Sequence, residues 1–255
     1  MKVSLNELQG LCRKAFMGIG FEDGDASDAA DMVAWMQCHG LNGLEHLNRG
    51  LDHLLEEDPN ISPKVLYQDG DLAVLDGQKQ SVLRTISLAL ELGFAKAKAR
   101  GLSVIKIRHC HNRQLMLGYL SRLSNRGMNI TAFWRNAKDP ITEHVVGFRA
   151  GHSAPEVRIY SIADVQEDHE PFDGITLIMA NLVELMPSLD VHEDVNLVAC
   201  HQESDLLNLR NQSLREGIEV DDAVWERLKT MVHRILVEAS EASRTGAGAG
   251  TNDND

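Results

Sequence analysis

DLAVLDG (71–77), SVLRTISLALELGFAKAKARG (81–101) and LSVIKIR (102–108) are the stretches that decide the fold. The first is a short apolar run closed by an Asp-Gly pair, which predicts a strand that ends in a turn. The second has the length of a helix and ends at Gly101, a residue type that favours helix C-termini. The third alternates and is β-branched, so it predicts a second strand.

The same alternation continues beyond residue 108. LMLGYLSRLSNRG (115–127) has the spacing of a helix, and MNITAFW (128–134) is apolar enough for a buried strand. Successive strands joined by helices favour parallel pairing, with the helices packed on the faces of the sheet. The sequence therefore predicts a β-α-β-α-β core over residues 71–134.

The N-terminal fifth predicts helices only. In residues 4–18 the apolar positions recur at helical spacing, and Ser4 and Glu7 have the S-x-x-E pattern of a capping box. ASDAADMVAWMQCHG (26–40) predicts a second helix, and residues 44–55 predict a third.

The second half of the chain has weaker patterns. Three runs predict strands: EVRIYSI (156–162), GITLIMANL (174–182) and VNLVAC (195–200). A last amphipathic helix is expected over 221–243, capped by Asp221 or Asp222. The predicted class is α/β, with α+β as the alternative. The predicted organisation is a helical subdomain (1–60), an α/β core (61–220), and a C-terminal helix with a glycine-rich tail (221–255).

Composition limits the function. The net charge of −13 opposes binding to nucleic acids and to anionic membranes, which would repel the chain. No apolar run of 18 residues is present, and the first residues lack the apolar segment of a signal peptide. The four cysteines form no C-x-x-C pair, which favours free thiols in a reducing cytoplasm. We therefore expect a soluble cytoplasmic protein with a small-molecule ligand.

Histidines are the first candidates for chemistry. His39, His46 and His53 recur every seven residues, which is either a metal set on one helix face or chance spacing. Metal ligands on a helix prefer spacings of three or four, and the interspersed glycines predict a break. No metal site is predicted here.

The segment IRHCHNRQ (107–114) is the second candidate. It follows the strand 102–108, and ligands of α/β sheets bind beyond the carboxyl ends of strands. His109 and His111 could transfer protons near neutral pH, and Arg113 adds a positive charge. A polar surface loop without a function is the equal alternative.

Several familiar motifs are missing. The sequence has no G-x-x-x-x-G-K-[ST], no G-x-G-x-x-G after the first strand, no G-x-S-x-G and no H-E-x-x-H. The acidic run DVQEDHE (164–170) could hold a divalent cation, although such runs are more often solvated.

Residues 1–137, through segments such as MQCHGLNG, VLDG and FAKAKARGLSVIKIRHCHNRQ, resemble the type-2 malate/L-lactate dehydrogenase family. The resemblance implies a fold unlike the Rossmann fold. It also implies NAD(P)-dependent reduction of small 2-oxo acids or cyclic imines, and it allows a homodimer. In this family a Ser-His-Gly signature is followed by an arginine that grips the substrate carboxylate.

His39 and Gly40 match the His-Gly of that signature, where the family's histidine is taken to donate a proton to the substrate carbonyl. Cys38 replaces the serine. Gly43 stands at the position of the arginine, so Arg49 is the substitute that the resemblance suggests.

The second family motif is a loop that contains His-Phe-Gly. Arg108 matches its start, and His111, Asn112 and Arg113 stand near the His-Phe-Gly. The family's glycine-rich cofactor segments beyond residue 137 have no counterpart. The resemblance implies catalytic His39 and His111, cofactor-binding Arg108, Asn112 and Arg113, and substrate-binding Arg49.

The chain ends on RTGAGAGTNDND (244–255). Together with residues 4–20, this ending resembles an uncharacterised bacterial family known only as a domain of unknown function. The tail is either a solvated end or a glycine strand that packs close to a ligand.

Two functions remain open at this stage, and so does the question of whether the protein is an enzyme. One is an NAD(P)-dependent reductase of small 2-oxo acids. The other is a non-catalytic protein that keeps the scaffold and binds a different small molecule or a protein partner.

Overall fold

The computed structural model describes residues 1–136, 141–162, 174–185 and 196–232. The acidic run 164–170 and the glycine-rich tail lie outside the described residues. The helices are α1 (Leu5–Gly18), α2 (Asp23–Cys38), α3 (Gly43–Glu56), α4 (Val82–Arg100), α5 (Leu117–Asn125), α6 (Glu203–Glu216) and α7 (Asp222–Val232), and a 3-10 turn spans Arg113–Met116. The strands are β1 (Lys2–Val3), β2 (Lys64–Gln68), β3 (Leu72–Ser81), β4 (Leu102–His111), β5 (Asn129–Asn136), β6 (Thr142–Phe148), β7 (Glu156–Ser161), β8 (Ile175–Ala180), β9 (Leu197–His201) and β10 (Ile218–Glu219).

The centre of the molecule is an eight-stranded mixed sheet in the order β2-β3-β4-β8-β5-β6-β7-β9. β3 and β4 are parallel, and every other neighbouring pair is antiparallel. The mixed α and β class is confirmed. The predicted parallel pairing holds for β3 and β4 but is wrong for β5, because β8 lies between β4 and β5 and pairs with both.

The N-terminal helices form as predicted. Ser4 caps α1, and its capping box with Glu7 is complete. The apolar face of α1 is fully buried, at Leu8, Cys12 and Phe16. Helix α7 packs against α1 and α3, and β1 pairs with β10, so the start of the chain is attached to residues 218–232.

The predicted break inside the 39–53 segment is only partly correct. Gly40 has a φ of 72° and separates α2 from α3. Gly50, in contrast, lies inside a continuous α3. A Cβ at Gly50 would overlap the Oδ1 atom of Asn112 and lie 2.6 Å from its Cγ atom. The glycine there permits close packing and does not end the helix.

The predicted turn at Asp76 and Gly77 is also wrong. β3 continues to Ser81 through an irregularity, in which Gln78 and Lys79 have φ values of 55° and 59°. The Asp76 carboxylate accepts hydrogen bonds from the Gln78 N–H at 2.8 Å and faces the His109 Nδ1 atom at 3.0 Å. This bulge lies beside the carboxyl end of β4, where the histidine-rich segment begins.

Candidate functional site

Two ring pairs, His53 with His111 and Trp134 with His144, lie near the ends of β4 and β5 and the start of β6, and α3 carries both His53 and His46, whose charge acts on His144. We call this group the histidine cluster, and it consists of His46, His53, His111, Arg113, Trp134 and His144. The site lies at the carboxyl ends of two strands that run in the same direction, which is where α/β sheets commonly bind ligands. The predicted strand end at 108 is corrected: β4 runs to His111, so His109 and His111 belong to the strand and Arg113 to the turn that follows it.

Helix α3 contributes two members of the cluster. His46 and His53 are seven residues apart on one helix, so they lie on nearly the same face. The His53 ring faces the His111 ring, with centroids 6.0 Å apart and planes 20° apart. His46 lies close enough to His144 for its charge to lower the pKa of His144.

Arg113 joins the ends of β4 and β5. Its guanidinium donates to the Cys110 carbonyl oxygen at 3.0 Å, to the Arg135 carbonyl oxygen at 2.9 Å and to Asn136 Oδ1 at 3.2 Å. Because a guanidinium can only donate, the last bond sets the orientation of the Asn136 amide. The amide nitrogen of Asn136 therefore donates to His144 Nε2, which lies 2.9 Å away.

This bond determines the tautomer of His144. Its Nε2 atom accepts, so its Nδ1 atom carries the proton in the neutral ring. That Nδ1 atom is buried and has no hydrogen-bond partner among the described residues. The Trp134 Nε1–H is also buried and has no hydrogen-bond partner among the described residues. The Trp134 and His144 rings stack, with centroids 4.9 Å apart. The cluster thus holds two buried donors that lack an acceptor in the part of the chain that the structure describes.

His144 is neutral at physiological pH. Burial lowers its pKa to about 4, and the charges of His46 and Arg113 act in the same direction. Burial also lowers the pKa of His46. His46 and Arg113 both act on His144, so any positive charge that His46 gains adds to that of Arg113 around this ring, and the cluster favours an anion more strongly as the pH falls.

His39 does not belong to this cluster. It caps the C-terminus of α2 and is 1% exposed, with its ring stacked on Trp35 at a centroid distance of 3.9 Å. Its Nδ1 atom lies 2.7 Å from the Trp35 carbonyl oxygen, while its Nε2 atom has no partner in the described part of the chain. Burial, more than the charge of Arg210, lowers the pKa of His39 to about 4.

These two histidines make stability depend on pH. The pKa of His39 and that of His144 are both about 4 in the folded protein, against about 6.5 in the unfolded chain. The unfolded chain therefore binds more protons between these values, so stability is full above pH 6.5 and falls as the pH drops toward 4.

Each histidine is expected to contribute a slope of about 1.4 kcal/mol per pH unit within that window. Urea unfolding between pH 4 and 7 measures the slope, and His39→Gln should make it shallower. The exposed His53→Gln is the matched control and should leave it unchanged. An identical slope in His39→Gln would contradict the prediction.

The predicted cofactor-binding residues are held by the protein itself. The Asn112 amide donates to Ser81 Oγ at 3.1 Å, and its oxygen packs against Gly50. Arg113 is bound to three oxygens, as described above. Arg108 is half-buried in β4.

The predicted substitute for the family's arginine is exposed. Arg49 lies on the surface of α3 and forms an ion pair with Glu45. The position of the missing arginine, Gly43, has no space for a side chain, because a Cβ there would overlap the Val33 carbonyl oxygen and lie 2.9 Å from the Gln37 nitrogen. Close packing of α3 on α2 therefore requires glycine at this position.

Sequence reasoning missed three residues that the structure brings into candidate sites. His144 and Trp134 belong to the histidine cluster, and β6, which carries His144, was not predicted. Arg210 lies beside His39 on α6, a helix that was not predicted either. The seven-residue spacing of His39, His46 and His53 left a metal set and chance spacing as alternatives, and the structure places His46 and His53 on α3 but His39 at the end of α2.

Among the described residues, no three His, Cys, Asp or Glu side chains are grouped as metal ligands would be. No described helix is both long and apolar enough to cross a membrane.

The architecture is that of a malate/lactate dehydrogenase-like fold. A protein from E. coli proposed to be a malate/lactate dehydrogenase has a TM-score of 0.67 at 14% identity, over 98% of this chain and 100% of that one. Malate dehydrogenase from Pyrococcus horikoshii OT3 has a TM-score of 0.67 at 12% identity, over 93% and 96%. Delta1-piperideine-2-carboxylate reductase from Pseudomonas syringae pvar. tomato has a TM-score of 0.63 at 14% identity, over 91% and 99%.

Residues 3–100 match a family described as Protein of unknown function (DUF3726). A search of curated protein sequences gives no match. The resemblance to a family of unknown function is therefore confirmed, as is the dehydrogenase-like scaffold unlike the Rossmann fold. The roles assigned to His39, His111, Arg49, Arg108, Asn112 and Arg113 stay predictions.

Proposed function

We propose that this protein binds a small organic anion in the histidine cluster. The observation that carries the proposal is the pair of buried donors, His144 Nδ1 and Trp134 Nε1, that have no acceptor among the described residues. Leaving a buried donor without a partner costs about 1–3 kcal/mol, so an acceptor is expected to fill the site. A ligand with carboxylate oxygens would supply it.

Charge supports an anion over a neutral acceptor. Arg113 and His46 both lie near His144, and each disfavours its protonation. A bound anion reverses that effect, because it attracts the positive groups around it. Anionic ligands should therefore bind more tightly as the pH falls toward the pKa of His46.

NAD(P)-dependent reduction of a small 2-oxo acid is the activity that we propose to test first. It is supported by the dehydrogenase-like fold, which extends over almost the whole chain. Hydride transfer would belong to the cofactor, while the protein would orient the substrate and supply a proton. His111 is half-buried, faces the His53 ring and is the residue of the cluster whose variant would test this activity.

The proton donor predicted from the resemblance, His39, is less suited to that role. Its Nδ1–H donates to the Trp35 carbonyl oxygen. In the neutral ring the Nε2 atom therefore carries no proton and can only accept a hydrogen bond. With a pKa of about 4, the ring is uncharged at neutral pH and accepts hydrogen bonds at Nε2.

The second candidate function is binding without catalysis. It is favoured by Asn112 and Arg113, whose polar groups are bound to Ser81, Cys110, Arg135 and Asn136 rather than open to a nucleotide. Asn112 and Arg113, two of the three residues predicted to hold NAD(P), do not fit that cofactor as they stand. We therefore derive no reaction step through it.

Titration separates these candidates. NADH and NADPH are added to the full chain and followed by fluorescence, and pyruvate binding is measured by calorimetry at pH 6 and pH 8. We expect pyruvate to bind more tightly at pH 6. We also expect His46→Ala to weaken binding at pH 6 about fivefold to tenfold, by removing the ring that would take up a proton beside the bound anion.

The matched control is His152→Ala, because His152 pairs with Glu203 on the surface, outside the cluster. NADH oxidation with a 2-oxo acid would support the reductase, and pyruvate binding without nucleotide binding would support the second candidate. Equal pyruvate affinity in the wild type and in His46→Ala, or no binding at either pH, would overturn the anion site.

A further inference from the structure

The face of α3 that carries His46 and His53 also carries Gly50. The three positions follow one another at spacings of four and three residues, which places them on one side of the helix. The His53 ring faces the His111 ring, and Gly50 meets the side chain of Asn112. Asn112 therefore reaches α3 between the two histidines.

The contact between Gly50 and Asn112 has no spare room. A Cβ at Gly50 would overlap the Oδ1 atom of Asn112, and it would lie 2.6 Å from the Cγ atom and 2.7 Å from the Nδ2 atom. The whole amide group thus lies against the backbone of α3. Asn112 consequently sets how closely α3 can approach the turn that follows β4.

The Asn112 amide is itself anchored by Ser81. Its Nδ2 atom donates to Ser81 Oγ at 3.1 Å, and Ser81 is fully buried. The same Oγ atom accepts the Leu83 N–H at 3.3 Å, as the N-cap of α4. The Ser81 N–H donates to the carboxylate of Glu57, the C-cap of α3, at 2.7 Å. Ser81 thus joins the turn after β4 to α4 and to the end of α3.

The backbone of Asn112 is also fixed. Its φ of 55° lies in the left-handed region, which asparagine tolerates better than most residues. Its carbonyl oxygen accepts the Leu115 N–H at 2.9 Å and so closes the 3-10 turn that begins at Arg113. The side chain and the backbone of Asn112 therefore hold one position relative to Arg113.

We propose that Asn112 is a positioning residue of the histidine cluster. It holds the histidine-bearing face of α3 at a fixed distance from His111 and Arg113, so that groups from both sides surround one small anion. This role rests on the anion site proposed above wherever ligand affinity is concerned. It also differs from the cofactor-binding role that the sequence predicted for Asn112.

The first measurement needs no ligand. In NMR spectra of the full chain, we expect cross-relaxation between the ring protons of His53 and His111, because the ring centroids are 6.0 Å apart. Gly50→Ala places a methyl group where the Asn112 amide lies, so either the amide or α3 must move. The variant should weaken this cross-relaxation strongly or abolish it.

The second measurement is the affinity for pyruvate, by calorimetry at pH 6. Asn112→Gly suits the left-handed backbone and loses one hydrogen bond, so it should weaken binding about threefold. Gly50→Ala should weaken binding about tenfold, because it displaces α3 or the amide. Without the amide the methyl group has room, so the double variant should lose only about threefold rather than about thirtyfold. A loss of stability alone would give no such rescue.

Ser4→Ala is the matched control for a third variant, Ser81→Ala. Both variants remove an N-cap serine, but Ser4 caps α1, which carries no member of the cluster. Ser81→Ala should weaken the cross-relaxation and lower pyruvate affinity about threefold, since the amide loses its acceptor. Ser4→Ala should change neither. Melting temperatures check that each variant folds, and Ser81→Ala carries the test if Gly50→Ala does not.

The two measurements separate this proposal from the anion site. The positioning role fails if the wild type shows no cross-relaxation, if Gly50→Ala or Ser81→Ala retains it, or if the losses of affinity in the double variant are additive. Suppose instead that the wild type binds no pyruvate, while cross-relaxation is lost in Gly50→Ala and regained in the double variant. The anion site would then be wrong, and the positioning of the two histidines by Asn112 would stand.

Discussion

Arg84→Ala is expected to lower the free energy of unfolding by about 3–5 kcal/mol, because it breaks a buried ion pair. The Arg84 and Glu57 side chains are only 8% and 5% exposed, and they are joined at 3.2 Å. The guanidinium also donates to the Ile19 carbonyl at 2.9 Å and lies 3.8 Å from the centre of the Phe21 ring. Removing it leaves Glu57 buried without its cation.

The ion pair joins two parts of the molecule, which is why the expected loss is large. Glu57 follows α3, and its carboxylate also accepts the Ser81 N–H at 2.7 Å, at the N-terminus of α4. Arg84 thus connects the N-terminal helices with the helix that packs on the sheet. Burial alone raises the pKa of the Glu57 carboxyl, and the Arg84 charge opposes that rise.

Urea unfolding measures the effect, with Arg49→Ala as the matched control. Arg49 pairs with Glu45 on the surface, so its loss should change stability by no more than about 0.5 kcal/mol. A loss below about 1 kcal/mol in Arg84→Ala would show that the buried pair does not hold the helices to the sheet.

Gly43→Arg is expected to destabilise the protein by about 3 kcal/mol or more, even though it restores the residue that the dehydrogenase family carries there. Any Cβ at this position overlaps the Val33 carbonyl oxygen and the backbone of α2. The neighbouring atoms belong to backbone and cannot move aside without separating α3 from α2, so the cost is overpacking of a rigid contact.

Gly10→Arg is the control for this substitution. Gly10 also lies in a helix, but a Cβ there meets nothing within 4 Å, so arginine should be neutral or slightly stabilising. Thermal unfolding compares the two variants, and calorimetry with pyruvate tests the functional side. A Gly43→Arg protein with wild-type stability and higher pyruvate affinity would show that the site can accept the family's arginine.

Local patterns predicted the helices other than α6, and the strand pair β3 and β4, because their signals lie within single segments. Capping at Ser4 and the helix end at Gly101 are both local, and Gly101 indeed has a φ of 94°. The position of β8 between β4 and β5 depends instead on contacts between distant residues, which no periodicity records. Helix α6 was missed because it has one fully buried residue, Leu206, and so lacks a clear apolar stripe.

The candidate sites were predicted in part for the same reason. The predicted strand end at residue 108 made His111 and Arg113 candidates. Both residues belong to the histidine cluster, although β4 itself ends at His111. The glycine at 50 was read as a break, whereas it accepts the side chain of Asn112 from a distant turn. Arg210 could not be paired with His39 from the sequence, since 171 positions separate them and nothing local joins them.

The central position of β8 also constrains how the protein is made. When synthesis has reached Asn136, the chain contains the helices α1 to α5 and the strands β3, β4 and β5, but not the strand that lies between β4 and β5. The middle of the sheet cannot form until β8, which ends at Ala180, has left the ribosome. Until then the edges of β4 and β5 that pair with β8 have no partner strand. Such late, long-range pairing slows folding and exposes strands that can aggregate, which makes this interval the point where a chaperone has most to protect.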